Sequence, residues 1–431
     1  MSSATRVSVP LLAALFYVAL IMPLEFSVTV AGLRLSPYRV LLLVMTIPLL
    51  ARLLRNTQQP PHMVDYLIMA HAFWAVLALT VYGGIGSGLE SGGIYVVESL
   101  GAYLLGRITI TSAAEHRALI YFMVSVLAGM FLITLPESLT GTHFIREAAR
   151  AVMGGPGLPV IEARLGLDRA FGSFDHPILY GVFAASTFAA TYYVLSAEAL
   201  SLRAFGLMGI VAGSTFLSLS AGPFVGLACQ CCVIGWDKVT KGISMRWSVL
   251  MGIFMLMWFA VSLASNRSPV KVFISYLTFS AHSAYNRILI WEYGSAEVGR
   301  NPFFGIGFGD WIRAPWMSDS MDNFWLLTAV RYGLPALIFL VAAIVLMALR
   351  QAKMNARHKD INRHRMAWLA IIIGLSVSGI TVHFWNALFA YFFFLVGTGA
   401  WLVHPQRRQA PLPKAFIRSW LESNPRAAAA C

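Results

Sequence analysis

A chain of 431 residues that is 58% hydrophobic and 12% charged, with a mean hydropathy of +0.70, cannot clothe a soluble core of its own size in polar surface, which excludes an ordinary globular protein. Its net charge of +13 is spread over many short segments and forms no compact basic patch, which excludes nucleic acid as the partner. The expected fold class is an all-α polytopic membrane protein.

Taken in chain order, apolar stretches of spanning length lie near 7–24, 38–54, 63–82, 94–110, 117–136, 176–196, 204–219, 223–236, 247–264, 321–349, 367–383 and 386–402, about twelve transmembrane helices at about 20 residues per span. No small-residue cleavage site follows the first stretch, which therefore reads as a retained span. Two long polar stretches rich in Arg, Gly, Pro and aromatics interrupt the series. The organisation expected is N-terminal transmembrane helices over 1–136, a first long loop over 137–175, central helices over 176–264, a second long loop over 265–320, C-terminal helices over 321–402, and a basic tail over 403–431.

Lys and Arg between spans set the orientation. With an even number of spans and a cytoplasmic N-terminus, the inside groups are Arg6, Arg52, Arg55, Arg107, Arg117, Arg203, Lys238, Lys241, Arg246, the run from Arg350 to Arg365, and the tail from Arg407 to Arg426. Both termini are then cytoplasmic, and the tail is placed to touch anionic lipid headgroups. Both long loops fall on the non-cytoplasmic side, where the orientation rule makes arginine scarce, so their arginines are expected to serve a function. In the first loop, THFIREAARAVMGG predicts a short amphipathic helix, broken by Gly154, Gly155, Pro156, Gly157 and Pro159. In the second, KVFISYLTFSAHSAYNRILIWEYGSAEV predicts a helix lying on or dipping into the outer face, and NPFFGIGFGDW a glycine-rich turn before the tenth span.

Cys229, Cys231 and Cys232 share one apolar helix and Cys431 ends the sequence. None lies in an outside loop, so no disulfide framework is implied. Without His or carboxylate neighbours they read as core residues, not as a metal site. The sequence holds no Walker loop, no HExxH and no paired-acid sugar-nucleotide signature. GIGFGD follows no strand, so it reads as a turn. No cofactor and no metal are expected.

The chemistry concentrates in three stretches: RLGLDRAFGSFDHP at 164–177, NRILIWE at 286–292 and DSMDNFW at 319–325. Arginine suits a diphosphate, because its planar fork donates paired hydrogen bonds and keeps its charge. Two arginines from separate loops can clamp a diphosphate leaving group and stabilise the charge developing on it. The competing readings are local. Asp168 or Asp175 can pair with Arg169, and Glu292 with Arg287. Asp322 can cap a helix. Arg331, lower on the same long helix, can snorkel or floor a cavity.

RAFGSFDHPILYG resembles the signature of the O-antigen ligase and polysaccharide polymerase superfamily, an Arg before a Gly-x-Phe-x-(His/Asn)-Pro turn entering a span. NRILIWEYGSAEVGRNPFFGIGFGDW resembles its next block, SLSAG at 218–222 its Ser-rich turn, and DNFWLLTAVRYGLPALIF the block that starts the following helix. The ordered set covers about 164–345. The resemblance implies an enzyme of the bacterial inner membrane, a metal-independent glycosyltransferase that takes glycan from undecaprenyl diphosphate at the periplasmic face. It places diphosphate binding on Arg169 and Arg287. Ligases of this kind typically carry His-Asn where this chain has Asp322-Asn323, which favours a polymerase, with O-antigen ligase as runner-up. A lipid-linked oligosaccharide flippase stands as the reading from another class. Asp322 and His176 are the catalytic candidates, Asp322 as proton acceptor. Arg164, Arg300, Arg313, Asn323 and Arg331 are the substrate-binding candidates. The expected partners are an undecaprenyl-diphosphate-linked oligosaccharide, membrane lipids, and chain-length-regulator or export-complex proteins.

Overall fold

The structure is a computed structural model that describes residues 8–30, 32–155, 157–198, 201–276, 281–353 and 359–403. In chain order the elements are α1 (Leu11–Leu20), a hairpin of β1 (Val28–Val30) and β2 (Leu33–Leu35), α2 (Pro37–Arg55), α3 (Met63–Val96), α4 (Ala102–Thr109), α5 (Ala113–Thr140), α6 (Phe144–Met153), α7 (Pro177–Ala185), α8 (Phe188–Ala190), α9 (Leu202–Leu217), α10 (Ala221–Val239), α11 (Arg246–Ala264), α12 (Pro269–Tyr276), α13 (Ala281–Arg300), α14 (Phe324–Lys353), α15 (Lys359–Ser378) and α16 (Ala387–Thr398). Among the described residues, six helical stretches are long and apolar enough to cross a membrane: Pro37–Arg55, Met63–Thr109, Ala113–Thr140, Pro177–Leu195, Arg246–Ala264 and Phe324–Lys353. Leu11–Leu20, Leu202–Leu217 and Ala387–Val403 are apolar but shorter. The molecule is mostly helical and built for a membrane.

Met63–Thr109 is a 47-residue stretch but not one straight rod. Gly84 takes φ +79 and ψ 177, a backbone state that costs a glycine little and other residues much. The chain doubles back there. A Cβ on Gly88 would overlap the Thr80 hydroxyl and one on Gly92 would press on Val76. Further along the limbs, the Tyr95 hydroxyl meets His71 Nε2 at 2.8 Å and Tyr103 donates to Asp65 Oδ1 at 2.5 Å. These are the stretches expected near 63–82 and 94–110, except that the second begins directly after Gly84. The second limb runs on into α4 through a π-helical turn, Val97–Gly101.

The core runs continuously through α1–α5, α7 and α14–α16. At its centre is α16, every residue of which after Ala387 is buried, Phe392, Phe393 and Phe394 completely so. By contrast α11 has no buried residue; it stands off the bundle and presents apolar side chains all round, as only a non-aqueous surround tolerates.

The bundle has two polar ends. At one, Arg107 reaches Gln59 and Pro60, Arg117 pairs with Asp360, Glu198 collects Lys238, Lys241 and Arg363, and Arg246 pairs with Asp237. The stretch 350–366, expected as a basic loop, is here mostly the ends of α14 and α15; its middle, 354–358, lies outside the described residues, as does all of the expected tail except Val403. The other end gathers the β-hairpin, both long polar stretches and the α15–α16 connection: Arg146 pairs with Glu25, Asp168 N–H donates to Ser138 O, and Phe324 N–H donates to Gly379 O.

Candidate functional site

The first long stretch is pinned at this second end by the last turn of α5. Glu137 is fully buried. Its carboxylate accepts the backbone N–H groups of Phe171 at 2.9 Å and Gly172 at 3.2 Å, and contacts His143 Nδ1 at 2.9 Å. Gly172 lies at φ +56, packed against Met130 and Thr134. Next to it, the Ser138 hydroxyl donates to Asp168 O at 2.6 Å, and Ala170 N–H donates to Leu217 O at 3.0 Å. Held on both sides, residue 169 has one direction left, inward. Arg169 is 7% exposed; its Nε donates to Ser218 O at 3.2 Å and its Nη2 to Ser220 Oγ at 2.6 Å. Arg164 Nη1 donates to Leu219 O at 3.0 Å. Two arginines therefore straddle the Ser218–Leu219–Ser220 turn, whose central leucine is held at φ +44, a strained state for a side chain of that size.

The second long stretch delivers a third arginine. Arg287, on α13, donates from Nε to Thr381 O at 3.2 Å, and its Nη1 is buried with no hydrogen-bond partner among the described residues. Burial draws its guanidinium below the usual range; Asp322 opposes that, and Arg164 adds to it. Burial also draws Arg169 down to about 10, with Arg164 pushing the same way and Glu162 against it. Among the described residues none of Arg164, Arg169 and Arg287 has a carboxylate within salt-bridge distance. A cluster of cations, Arg169 buried and Arg287 half-buried, with no carboxylate in direct contact is unfavourable alone and receptive to a polyanion.

His176 joins this cluster. It caps α7, its Nδ1 accepting Ile178 N–H at 3.2 Å, with Pro177 as first helical residue. Burial, then Arg169 and Arg164, draw it down to about 4, so it is a neutral imidazole at physiological pH. With Nδ1 accepting, Nε2 carries the proton and is free to donate.

The remaining sequence candidates separate. Asp322 lies in the field of Arg287, and its Oδ1 accepts the Ser320 hydroxyl at 3.1 Å. The cap expected of Asp322 belongs to Asn323, which is buried and accepts Leu326 N–H at 2.9 Å. Nor do the expected local pairs form. Glu292 takes Lys271 at 2.8 Å instead of Arg287, and Asp175 faces Arg146 at 3.6 Å instead of Arg169. Arg300 is paired with Glu297 at 2.6 Å and Arg313 with Asp310, both within the second stretch and outside the cluster. Arg331 lies 5.0 Å over the Phe308 ring, and its carbonyl accepts Gly307 N–H at 2.9 Å. The glycine-rich turn docks here because α14 is broken at Gly333, φ +80, where a Cβ would overlap Phe303 O.

Two contributors escape sequence reasoning. Glu137 is a lone carboxylate at the end of an apolar run. The other is the non-helical segment 379–386, GITVHFWN, expected as the end of one span and the start of the next. It supplies Thr381 O to Arg287, sets Trp385 5.9 Å from His176, and places His383 5.7 Å from Trp385. Burial, then Arg331, hold His383 down at about 3. The polar residues punctuating this apolar stretch are the only signal that the helix stops. A cavity of about 660 Å³ lies at the opposite end, lined by Arg52, Arg55, Gln58, Gln59 and Thr111 among others. Its arginines end α2, where the helix dipole alone favours cations, so the cluster of Arg164, Arg169 and Arg287 is the better candidate.

No protein-family model matches this chain, and no curated protein and no solved structure matches it.

Proposed function

We propose that this chain is a glycosyltransferase of the bacterial inner membrane, a polysaccharide polymerase that joins undecaprenyl-diphosphate-linked repeat units at the periplasmic face. The observation that carries the reading is the convergence of Arg164, Arg169 and Arg287 from two separate stretches, with no carboxylate partner and with one guanidinium nitrogen of Arg287 unused. In this reading the cluster binds the diphosphate and stabilises the negative charge that grows on it as the glycosyl bond breaks. Asp322 offsets the charge of Arg287 between turnovers, and neutral His176 offers an N–H to a phosphate or sugar oxygen.

The topology that goes with it has about twelve spans, with six stretches of full spanning length among them and α1, α9 and α16 in shorter apolar ones: α1, α2, the two limbs either side of Gly84 with α4, α5, α7–α8, α9, α10, α11, α14, α15 and α16. Arg107, Arg117, Lys238, Lys241 and Arg246 then face the cytoplasm and the arginine cluster the periplasm. One observation favours O-antigen ligase as a second reading. His383, from a different segment than the family block, reaches the neighbourhood of His176 and Trp385. Deleting the gene and sizing the carrier-linked glycans separates the two. A polymerase loss leaves single repeat units on the lipid carrier; a ligase loss leaves long chains there. Unchanged polysaccharide and carrier-linked pools would refute both.

A further inference from the structure

Segment 379–386 links the arginine cluster to a second polar cluster. At its start Thr381 O holds Arg287; at its end Asn386 donates from Nδ2 to Asp175 Oδ2 at 2.7 Å. Asn386 has φ +50 and ψ −130, and although it stands at the N-cap of α16 its side chain makes no cap hydrogen bond. Asparagine is a preferred cap, and strain of this kind persists only where the surroundings impose it. Here the amide is committed elsewhere: Arg39 Nη2 donates to Oδ1 at 3.5 Å, which fixes the amide orientation and turns Nδ2 toward Asp175.

The other carboxylates of this cluster each hold close partners. Glu25 takes Arg146 through both oxygens at 2.8 Å, Glu98 takes Arg39 and Tyr38 at 2.7 Å each, and Glu137 holds the 171–172 turn. Asp175 is different. Its nearest cation, Arg146, stands off at 3.6 Å, and its side chain keeps 19% exposure. Burial raises its carboxyl above the usual range; the Asn386 hydrogen bond, Arg146 and Arg34 oppose this, and Glu25 adds to it. Asp175 is thus a basic, reachable carboxylate, one residue from His176 on the arginine side.

We propose that the Asp175 side of segment 379–386 is the acceptor-sugar subsite, with Asp175 as the catalytic residue that takes the proton of the attacking hydroxyl and Asn386 as its positioning residue. This rests on the glycosyl-transfer reading above. The acceptor oxygen forms a bond to the anomeric carbon. The bond from that carbon to the diphosphate oxygen breaks, and its electron pair leaves on the diphosphate beside Arg169 and Arg287. The hydroxyl proton passes to the Asp175 carboxylate. The Trp385 ring beside His176 offers an apolar face to a sugar at the junction.

The test uses the full-length protein in lipid nanodiscs with a lipid-linked repeat unit, reading donor affinity, transfer rate and its pH profile. Asp175→Asn should lose about 10²–10⁴-fold in transfer, the range of a general base, with donor affinity within about twofold of wild type. Asn386→Gly keeps the backbone state and removes the amide. The groups facing Asp175 are Arg146 from α6, Arg34 from β2, Glu25 and Asn386, and only the last changes. The lost hydrogen bond favoured the carboxylate, so the acidic limb of kcat/KM should move to higher pH. A structural tie would lower the rate at every pH and leave the limb in place. Normal transfer by Asp175→Asn, or an unmoved limb in Asn386→Gly, overturns the proposal; if Asp175→Asn does not fold, the limb decides. Loss of donor binding in Arg287→Ala with normal transfer in Asp175→Asn sinks this inference alone. Donor binding unaffected by Arg287→Ala sinks the glycosyl-transfer reading itself.

Discussion

Replacing Glu137 by alanine removes the acceptor that holds the Arg169 segment in place. In the native structure its buried carboxylate serves Phe171 N–H, Gly172 N–H and His143 Nδ1. Alanine leaves two buried backbone donors unsatisfied, each costing about 1–3 kcal/mol, so the segment should loosen by about 2–6 kcal/mol. Glutamine keeps one oxygen for the two backbone donors and should cost about 1–2 kcal/mol. Hydrogen exchange at Phe171 and Gly172 is the direct assay. A change of about 2 kcal/mol corresponds to roughly thirtyfold faster exchange, with glutamine between alanine and wild type. Transfer should fall in the same order, because Arg169 loses its anchorage while Arg287 keeps its contact with Thr381. Native protection of both amides in Glu137→Ala would show that the contacts to Ser138 and Leu217 alone hold the turn, and the reasoning would fail.

Two further outcomes follow from the same geometry. In a cysteine-free background, Val160→Cys and Ser318→Cys, both exposed, should react with an impermeant thiol reagent in intact spheroplasts, and Ile243→Cys and Lys353→Cys only after permeabilisation; the reverse pattern would put the arginine cluster in the cytoplasm. Asp322→Asn should bind donor more tightly, since a negative charge beside Arg287 is gone, and keep the acidic limb of its rate profile. Disappearance of that limb would make Asp322 the proton acceptor in place of Asp175.

Much of the helical layout is legible in the sequence because a bilayer forces long apolar runs between polar breaks. The short helix α6 was legible from FIREAARAVM, apolar on one face and charged on the other. The arginines were legible because they concentrate in two long polar stretches between apolar runs. Other features were hidden for physical reasons. The reversal at Gly84 falls in the break read between 82 and 94, where GGIGSG lowers the hydropathy; what stayed hidden is that the helix resumes directly after Gly84, which only the backbone angle marks. Segment 379–386 contains Ile380, Val382, Phe384 and Trp385, so an apolarity reading runs the first span on to 383 and leaves only two residues before the next. It is opened by distant partners, Phe324 N–H taking Gly379 O and Val382 O. Ion pairing was hidden for the same reason: Arg146 finds Glu25 121 residues away, and no local spacing rule reaches that far. The cap on α14 shifts by one residue, from Asp322 to Asn323, within the uncertainty with which helix ends are read.

The central claim is that Arg169 and Arg287 form a diphosphate site. Its most direct test is equilibrium binding of an undecaprenyl-diphosphate-linked glycan to the purified protein in nanodiscs. Arg169→Ala and Arg287→Ala should each weaken binding at least about tenfold, about 1.4 kcal/mol. Arg287→Lys should recover little, because lysine cannot present the paired donors of the guanidinium fork. A monophosphate-linked glycan should bind the wild type more weakly than the diphosphate. Equal affinity across wild type and all three variants, or no preference for diphosphate over monophosphate, would contradict the account.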